Sequence, residues 1–403
     1  MMWIRVIGWA TRALALTSVF VPSLVWAVTF VNLANTNLGA CLSATASGIS
    51  SDGSTVVGIC DGHAFRWTLA EGAVYLSELA GGFTQSSATA ASSDGSVIVG
   101  WGKTIDARER VFKWTQVGGM VEIGTPPSPT QSYRPTAVSG DGTVIIAESR
   151  SSGSGFYYTD AGGAVELGGL PGQGIQSKPY ALSLDGTIVA GVTPRSPGSS
   201  VAFSWTVAGG MVDLGRVDPL HDHSIIRGIS ADGSTLVGES KKLTNPFLGN
   251  MVRWTASGGM EAIECSPGVA CGGIGLAASG DGSLIGGSDS EPLQSFDTAR
   301  IWDPVNGGRD LEDALVADGA DLDGVTVETV NAISADGKTL TGHGKFLLII
   351  PELGGIHLDT GWVAIYEDDP VEVPSVGPIG LVALALAFTV STACVRARNP
   401  ASR

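Results

Sequence analysis

A four-residue pattern, Ser-x-Asp-Gly, divides the chain into similar segments. It occurs seven times, at intervals of 42 to 55 residues, with its aspartates at Asp52, Asp94, Asp141, Asp185, Asp232, Asp281 and Asp336. An apolar stretch follows each copy, with a branched aliphatic residue such as Val56 four positions after the aspartate. Asp-Gly before an apolar stretch is typical of a tight hairpin turn, because glycine tolerates positive φ and aspartate bonds to its own backbone. We interpret the seven aspartates as structural turns.

Three further short stretches complete each segment. In stretches such as Ala64-Phe65-Arg66-Trp67-Thr68, large side chains alternate with small or polar ones, which predicts a strand with one buried face. A Gly-Gly turn and another apolar stretch follow in most segments, as in Met120-Val121-Glu122-Ile123, and a fourth stretch leads into the next turn. Four strands repeated at about 40–50 residues indicate the blades of a propeller.

The ends of the repeat array predict how the ring closes. Six segments contain the strand after the Gly-Gly turn, whereas the seventh stops at Gly361-Trp362-Val363-Ala364-Ile365-Tyr366. The stretch Val28–Leu33 matches the missing strand. The sequence therefore predicts an all-β fold, a seven-bladed β-propeller of four-stranded blades, with the ring closed by the N-terminal strand. A solenoid is the alternative, but it would need capping units. Leu311, Leu315 and Val316 have helical spacing and predict a short helix.

Both ends of the chain carry export features. Residues 1–27 combine Arg5 and Arg12 with an apolar run and predict a signal peptide; an uncleaved membrane anchor is the alternative. Residues 28–368 would form the propeller and 369–375 a linker with a sorting motif. Residues 376–403 begin with about twenty uncharged positions and end in arginines, which predicts a transmembrane or sorting tail. We expect an exported protein at the cell surface or outside the cell, touching the membrane only through this tail.

Composition limits the possible classes of partner and indicates the redox state of the cysteines. The formal net charge is -16, which excludes nucleic acid as a partner because phosphate binding depends on Lys and Arg. We expect a monomeric propeller. The body of the chain has four cysteines, an even number that suggests two disulfides in an oxidising compartment. Cys265 and Cys271 would staple one loop, which leaves Cys41 and Cys60 as the other pair.

Two resemblances follow from these motifs. His63-Ala64-Phe65 and its repeat context resemble the HAF-repeat family of probable extracellular proteins, over roughly residues 28–368. The resemblance implies an exported repeat protein and carries no established activity. The tail resembles PEP-CTERM, exosortase-type sorting signals, although its motif is Val373-Pro374-Ser375 instead of Pro-Glu-Pro. A plain tail anchor remains the alternative for this end.

The polar residues predict no catalytic, cofactor or metal site. Asp318, Asp321 and Asp323 come nearest to a calcium loop, but the spacing places Val330 where a bidentate Glu should sit. His221-Asp222-His223 is the densest polar cluster, and we interpret it as a solvated loop with a surface metal contact as the alternative. The repeated Trp and Phe residues are expected to pack in the core and not to form a carbohydrate platform.

The sequence favours a binding module over an enzyme. We expect the ligand, an unknown glycan, matrix or surface protein, on a rim built from the variable loops Ser149–Gly155, Pro194–Ser200 and Lys241–Asn250. The alternative is an extracellular polysaccharide hydrolase or lyase that uses acids near the central channel. A hydrolase would need two carboxylates about 5–10 Å apart.

Overall fold

The chain forms two compact units. A computed structural model of the protein describes residues 24–25, 28–35, 41, 43–76, 83–124, 131–195, 198–266, 268–289, 297–350, 354–367 and 371–372. One unit comprises residues 27–367, and the other comprises residues 1–26 with 368–403. None of the described helices is long and apolar enough to cross a membrane. The predicted tail at 376–403 and most of the predicted signal peptide lie outside the described residues.

Nearly all described elements are strands. The first half of the chain contains β1 (Leu24–Val25), β2 (Val28–Asn32), β3 (Ala44–Ile49), β4 (Thr55–Cys60), β5 (His63–Thr68), β6 (Gly72–Tyr75), β7 (Gln85–Ala91), β8 (Val97–Lys103), β9 (Glu109–Thr115), β10 (Gly119–Glu122), β11 (Tyr133–Val138), β12 (Val144–Ser149), β13 (Gly155–Thr159), β14 (Gly163–Glu166), β15 (Lys178–Leu182) and β16 (Val189–Arg195). The second half contains β17 (Ser199–Thr206), β18 (Gly210–Asp213), β19 (His223–Ile229), β20 (Thr235–Lys242), β21 (Asn245–Thr255), β22 (Gly259–Ala262), β23 (Glu264–Ser266), β24 (Val269–Ala270), β25 (Ile274–Ala278), β26 (Ile285–Asp289), β27 (Thr298–Asp303), β28 (Gly307–Asp310), β29 (Val325–Ile333), β30 (Thr339–Ile350), β31 (Gly354–Tyr366) and β32 (Val371–Glu372). Leu33–Asn35 forms a short 3-10 turn, and Leu311–Ala317 forms helix α1.

The large unit is an all-β propeller with four-stranded antiparallel blades. Five blades are separate sheets of four strands: β3–β6, β7–β10, β11–β14, β25–β28, and β29–β31 with β2. The sequence predicts seven such sheets, and here the structure differs. Strands β15–β22 form a single eight-stranded sheet, because one parallel residue pair, Ser200 with His223, joins β17 to β19. In the smaller unit, β1 pairs antiparallel with β32.

The N-terminal strand completes the last blade, as predicted. Strand β2 pairs antiparallel with β31, from Val28 opposite Tyr366 to Asn32 opposite Trp362. Leu33 follows the strand and is fully buried, in one cluster with Phe65 of the first blade and Val363 of the last. The first and last blades of the chain therefore share a core, so the N-terminal segment joins them through both hydrogen bonds and packing.

The Ser-x-Asp-Gly segments form the predicted turns, each between the two innermost strands of a blade. The glycine of each turn has φ between 68° and 76°, a region that residues with a Cβ rarely adopt. The turns also touch one another through backbone hydrogen bonds. The amide of Gly140 donates to the carbonyl of Leu184 at 2.7 Å, and the amide of Ala335 donates to the carbonyl of Ser51 at 2.8 Å. The last turn thus contacts the first.

Each innermost strand contains a β-bulge that the sequence analysis does not predict. The register with the second strand shifts by one residue in every case, five positions before the aspartate of the following turn. The residues left out of the pairing at this position are Ser47, Thr89, Thr136, Tyr180, Arg227, Leu276 and Asn331. Strand β29 has a second register shift, at Glu328. A bulge bends its strand and redirects a side chain. These positions differ in chemical type from blade to blade.

The predicted helix and both predicted disulfides are present. Helix α1 lies between β28 and β29, with Asp310 as its N-cap and with Leu311 and Leu315 fully buried. Disulfides join Cys41 to Cys60 and Cys265 to Cys271. The first links the segment before β3 to the end of β4, and the second closes the hairpin of β23 and β24.

Candidate functional site

The strand directions place two kinds of connection on opposite faces of the propeller. In the blade β15–β18, the turn with Asp185 follows β15, and the turn at 207–209 joins β17 to β18, so both lie at one end of the strands. The loop between β16 and β17 and the segment before β15 lie at the other end. The other blades repeat this arrangement, which gives a turn face and a loop face.

On the turn face the aspartate carboxylates are occupied by local hydrogen bonds. In the turn at Asp232, Oδ1 accepts from the hydroxyl of Ser230 at 2.6 Å and from the amide of Ser234 at 2.9 Å. The same Ser230 hydroxyl oxygen accepts from the amide of Thr235 at 3.0 Å. The corresponding three bonds occur in all the Ser-x-Asp-Gly turns. The seven aspartates therefore act locally, on their own turns.

These hydrogen bonds stabilise the ionised carboxylates. At Asp281, the backbone and hydroxyl of Ser283 and the hydroxyl of Ser279 lower the pKa to about 2. At Asp94, hydrogen bonds from Ser96 lead the causes that lower the pKa. A carboxylate that accepts several hydrogen bonds prefers its charged form. Asp94 and Asp281 are therefore unsuited to donate protons near neutral pH.

The central channel is small and mostly apolar. Its cavity of about 210 Å³ is lined by residues of the innermost strands and of the turns that follow them, most of them Ala, Leu, Ile or Gly. Its strongly polar members are Arg227 and Asn331, both bulge residues, and Asn331 donates its side-chain amide to the carbonyl of Ala46 at 2.8 Å. No carboxylate belongs to the described lining. The alternative of a hydrolase or lyase with acids near the channel stays untested.

A larger cavity of about 680 Å³ opens on the loop face, and we call it the rim cavity. It lies over β11–β22 and is lined by residues of all three loops that the sequence analysis selects. The lining residues are Arg150, Ser151, Ser152, Gly153, Gln176, Ser177, Lys178, Tyr180, Val192, Pro194, Ser200, His223, Ile225, Arg227, Glu239, Lys241 and Leu243. Its volume is in the range of about 300–1,000 Å³ that small-molecule sites occupy.

His223 lies at the centre of a polar network in this cavity. Its Nδ1 shares a short hydrogen bond with the hydroxyl of Ser200, and its Nε2 lies 3.7 Å from Oε1 of Glu239. Lys241 donates to the same carboxylate at 2.8 Å. Burial lowers the pKa of His223; Glu239 opposes this shift, and the charges of Lys241 and Arg227 add to it. At neutral pH the imidazole is therefore uncharged.

Two bulge residues form the inner wall of the rim cavity. The guanidinium carbon of Arg227 lies 4.1 Å from the centre of the Tyr180 ring, a cation–π contact. Burial raises the pKa of Tyr180, although Arg227 partly offsets the effect. Arg227 belongs to both the channel lining and the rim cavity, so it marks where the two meet.

The predicted histidine cluster has two roles that the sequence did not separate. His221 and Asp222 hold neighbouring segments: Nδ1 of His221 hydrogen-bonds the hydroxyl of Ser240 at 2.9 Å, and Asp222 accepts from the amide of Leu243 at 2.6 Å. His223 instead faces the rim cavity, with its side chain only 15% exposed. The prediction of a solvated loop is wrong for His223.

The three aspartates considered for calcium have other contacts. Asp318 is the C-cap of α1, Asp321 accepts from the amide of Asp323 at 3.1 Å, and Asp323 accepts from Asn35 at 2.5 Å. Within the described residues, the group of potential ligands whose atoms come within 4.8 Å of one another is Cys41, Cys60 and Asp61. Its two cysteines form a disulfide. The sequence analysis predicts no metal site, and whether these three aspartates bind calcium stays untested.

The repeated aromatic residues pack in the core. Phe65, Phe112 and Phe203 are fully buried, and Trp67 and Trp205 are at most 6% exposed. Side chains buried to this extent between neighbouring sheets have no free face for a sugar ring. The expectation that they serve packing is therefore confirmed for these positions.

Comparison with known proteins supports the fold and leaves the activity open. No protein-family model matches the chain, and no curated protein is significantly similar in sequence. The crystal structure of oligogalacturonate lyase from Vibrio parahaemolyticus is similar, with a TM-score of 0.53 and 10% identity over 85% of this chain and 97% of that chain. Virginiamycin B lyase from Staphylococcus aureus has a TM-score of 0.50 and 14% identity over 85% of this chain and 100% of that chain.

The similarity to a third solved structure covers a shorter part of both chains. The chain spans only 52% of TolB from Acinetobacter baumannii, and 54% of the present chain is matched, with a TM-score of 0.39 and 15% identity. All of these proteins contain propeller-type folds, and at such identities the likeness concerns the fold alone.

Proposed function

We propose that the protein is an exported, monomeric propeller that acts as a non-enzymatic binding module, with its ligand in the rim cavity. The observation that carries this proposal is that the loops 149–155, 194–200 and 241–250 converge on one cavity. A rigid scaffold that presents variable loops at one cavity is a common plan for recognition. On the turn face, the seven aspartates of the described turns are already occupied by hydrogen bonds from their own turns, as Asp232 is.

The proposal is tested by blocking the cavity. The full chain would be screened against a glycan array and against surface and matrix proteins, with turnover of each bound glycan measured in parallel. We expect Ser152→Trp, which places a bulky side chain in the cavity, to weaken binding of the selected ligand at least tenfold. Ser257→Trp, in an exposed turn on the opposite face, is the matched control and should bind as the wild type does. Equal binding by both variants, or turnover of the ligand, would overturn the proposal.

A second candidate function is a lyase acting on extracellular polysaccharide. It is favoured by His223, whose neutral imidazole borders a cavity with several cationic side chains and could accept a proton. The hydrolase form of this alternative fits less well, because Glu239 is the one carboxylate in the described lining and Lys241 already binds it. Turnover that is lost in His223→Gln but retained in His221→Gln would establish the lyase.

We also propose that the ring has seven blades, with the eight-stranded sheet counted as two. Each half of that sheet has its own bulged innermost strand and its own Ser-x-Asp-Gly turn, and the two turns contact each other, Leu184 amide to Ala231 carbonyl, at 3.1 Å. Among the described residues, the strand pairing between the halves consists of one residue pair, Ser200 with His223. An experimental structure with fewer than seven four-stranded units around the axis would contradict this count.

Export and the family resemblance belong to the same proposal. The apolar segment within 1–27, the tail at 376–403 and the His63-Ala64-Phe65 motif support a surface protein of the HAF-repeat type with a sorting or anchoring tail. Two disulfides support an oxidising location. Mass spectrometry of the mature protein should show both ends removed; a chain retaining residues 376–403 in the membrane fraction would favour the plain anchor.

A further inference from the structure

The rim cavity carries an excess of positive charge in a strongly acidic protein. Arg150, Lys178, Arg227 and Lys241 line it, against Glu239 alone, although the whole chain has a net charge of -16. Lys241 is paired with Glu239 at 2.8 Å, and Arg150 is paired at 3.1 Å with Glu148, which lies behind the lining. Lys178 and Arg227 have no carboxylate partner among the described residues. Two cationic side chains at this site therefore lack a carboxylate partner.

Arg227 is partly buried and incompletely satisfied. Its guanidinium stacks on Tyr180, yet its Nε is buried and has no hydrogen-bond partner in the described part of the chain. An unpaired buried donor on a charged group costs stability, and an anion that accepts its hydrogen bond removes the cost. The β-bulge at position 227 places the side chain where the channel opens into the cavity. This residue has the features of an anion-binding group without its anion.

The rest of the lining is rich in small polar groups. Ser151, Ser152, Gln176 and Ser200 contribute hydroxyl and amide groups to the cavity. Ser177 is fully buried, and its hydroxyl has no partner within the described residues. Such a wall suits a ligand that itself has many hydroxyl groups, because each can exchange a hydrogen bond with water for one with the protein. A fatty or aromatic ligand would leave these groups unpaired.

We propose that the rim cavity binds an acidic saccharide whose carboxylate lies against Arg227 and Lys178 and whose hydroxyls bond the serine-rich wall. This inference rests on the proposed function and narrows it to one ligand class. The excess of positive charge favours a ligand with a carboxylate. A ligand with sugar hydroxyls is favoured by the unpaired Ser177 hydroxyl and the neighbouring polar side chains. Arginine favours such a site because its planar guanidinium matches a carboxylate.

Binding of matched acidic and neutral sugars to the full chain tests the inference. The probes are the trisaccharides of mannuronate, guluronate and galacturonate, each beside its uncharged counterpart, measured by isothermal titration calorimetry. We expect at least one acidic trisaccharide to bind at least tenfold more tightly than its neutral counterpart, with an affinity that falls as salt is raised. Arg227→Gln and, separately, the exposed Lys178→Gln should each reduce that affinity severalfold or more.

Arg253→Gln provides the matched control. Arg253 also stacks on an aromatic ring, Trp302, with 5.4 Å from its guanidinium carbon to the ring centre, but it lies outside the rim cavity. This variant should bind as the wild type does. Equal affinity for acidic and neutral sugars, no binding of any acidic trisaccharide at 1 mM, or equal losses in Arg227→Gln and Arg253→Gln would overturn the inference. The binding-module proposal would survive any of these results if Ser152→Trp still blocked another ligand.

Discussion

On the turn face, each aspartate accepts hydrogen bonds from the serine two residues before it and from the amide two residues after it, as Asp232 does. On the loop face, Lys178 and Arg227 have no carboxylate partner among the described residues. Both faces belong to the same blades, and both contain charged groups. On the turn face, each aspartate carboxylate is hydrogen-bonded by residues two positions away in the chain. On the loop face, the charged side chains come together from several strands.

This difference separates the source of stability from the place for recognition. A repeated turn whose polar groups are all paired adds to folding stability and offers little to a ligand. A cavity with unpaired donors contributes less to stability and can gain more from an anion. Such incompletely satisfied sites are expected where a protein binds or reacts. The comparison predicts that mutations on the turn face change folding stability, whereas mutations on the loop face change ligand binding.

The largest effect is expected from removing the N-terminal strand, which spans both faces. A chain lacking residues 1–33 loses every pair between β2 and β31 and the fully buried Leu33. The last blade would then expose a strand edge, and the core shared with the first blade would open. We expect the melting temperature in calorimetry to fall by more than about 10 °C, or cooperative unfolding to be lost.

The control for this deletion is a chain lacking only residues 1–27. It retains β2 and should melt as the parent does. If both truncated chains unfolded at the same temperature, the N-terminal strand would not stabilise the ring.

A smaller effect separates the two faces directly. Ser230 is fully buried and bonds both Asp232 and the amide of Thr235, so Ser230→Ala leaves the buried Thr235 amide unpaired and removes one hydrogen bond from the exposed Asp232. We expect the free energy of unfolding, measured with denaturant, to fall by about 1–3 kcal/mol, with ligand binding unchanged. Ser152→Ala on the loop face should change stability by less than about 0.5 kcal/mol. The comparison fails if the two variants are equally destabilised.

The repeated features of the fold were predictable because each is encoded within a short stretch. The turns depend on Ser, Asp and Gly at fixed spacing, the disulfide of Cys265 and Cys271 closes six residues, and α1 shows its own helical spacing. The role of β2 was predictable because the seventh segment, at the other end of the repeat array, lacks one strand. Periodicity and neighbour relations in a repeat protein are visible in the sequence alone.

The candidate site was predicted only in part, because it depends on residues that do not repeat. The three loops were recognised by their variability, but Tyr180 and Arg227 were not singled out. Their importance comes from the bulges, and a bulge is a property of the pairing between two strands. A usable signal was present: when the segments are aligned on their aspartates, the fifth residue before each one varies from Ser47 to Arg227. The sequence contains no comparable signal for the pairing of Ser200 with His223, which joins two blades into one sheet.

The smallest predicted effect is a pH dependence of stability that belongs to the loop face. Burial lowers the pKa of His223 below its ordinary value of 6.5, so the folded protein binds this proton less readily than the unfolded chain does. Above pH 6.5 the residue is neutral in both states and makes no difference. As the pH falls below 6.5, the unfolded chain takes up the proton first, and stability is lost until the lower folded pKa is passed.

Thermal melting between pH 7.5 and pH 5 measures this contribution. Other groups titrate in the same window, so the comparison is between the pH slopes of the wild type and of His223→Gln. We expect the variant to lose less melting temperature on acidification, by an amount on the order of 1 °C. Identical slopes in the two proteins would mean that His223 is as free to protonate in the fold as in the unfolded chain. Its cavity could then not be the desolvated, cationic site that distinguishes the loop face from the turn face.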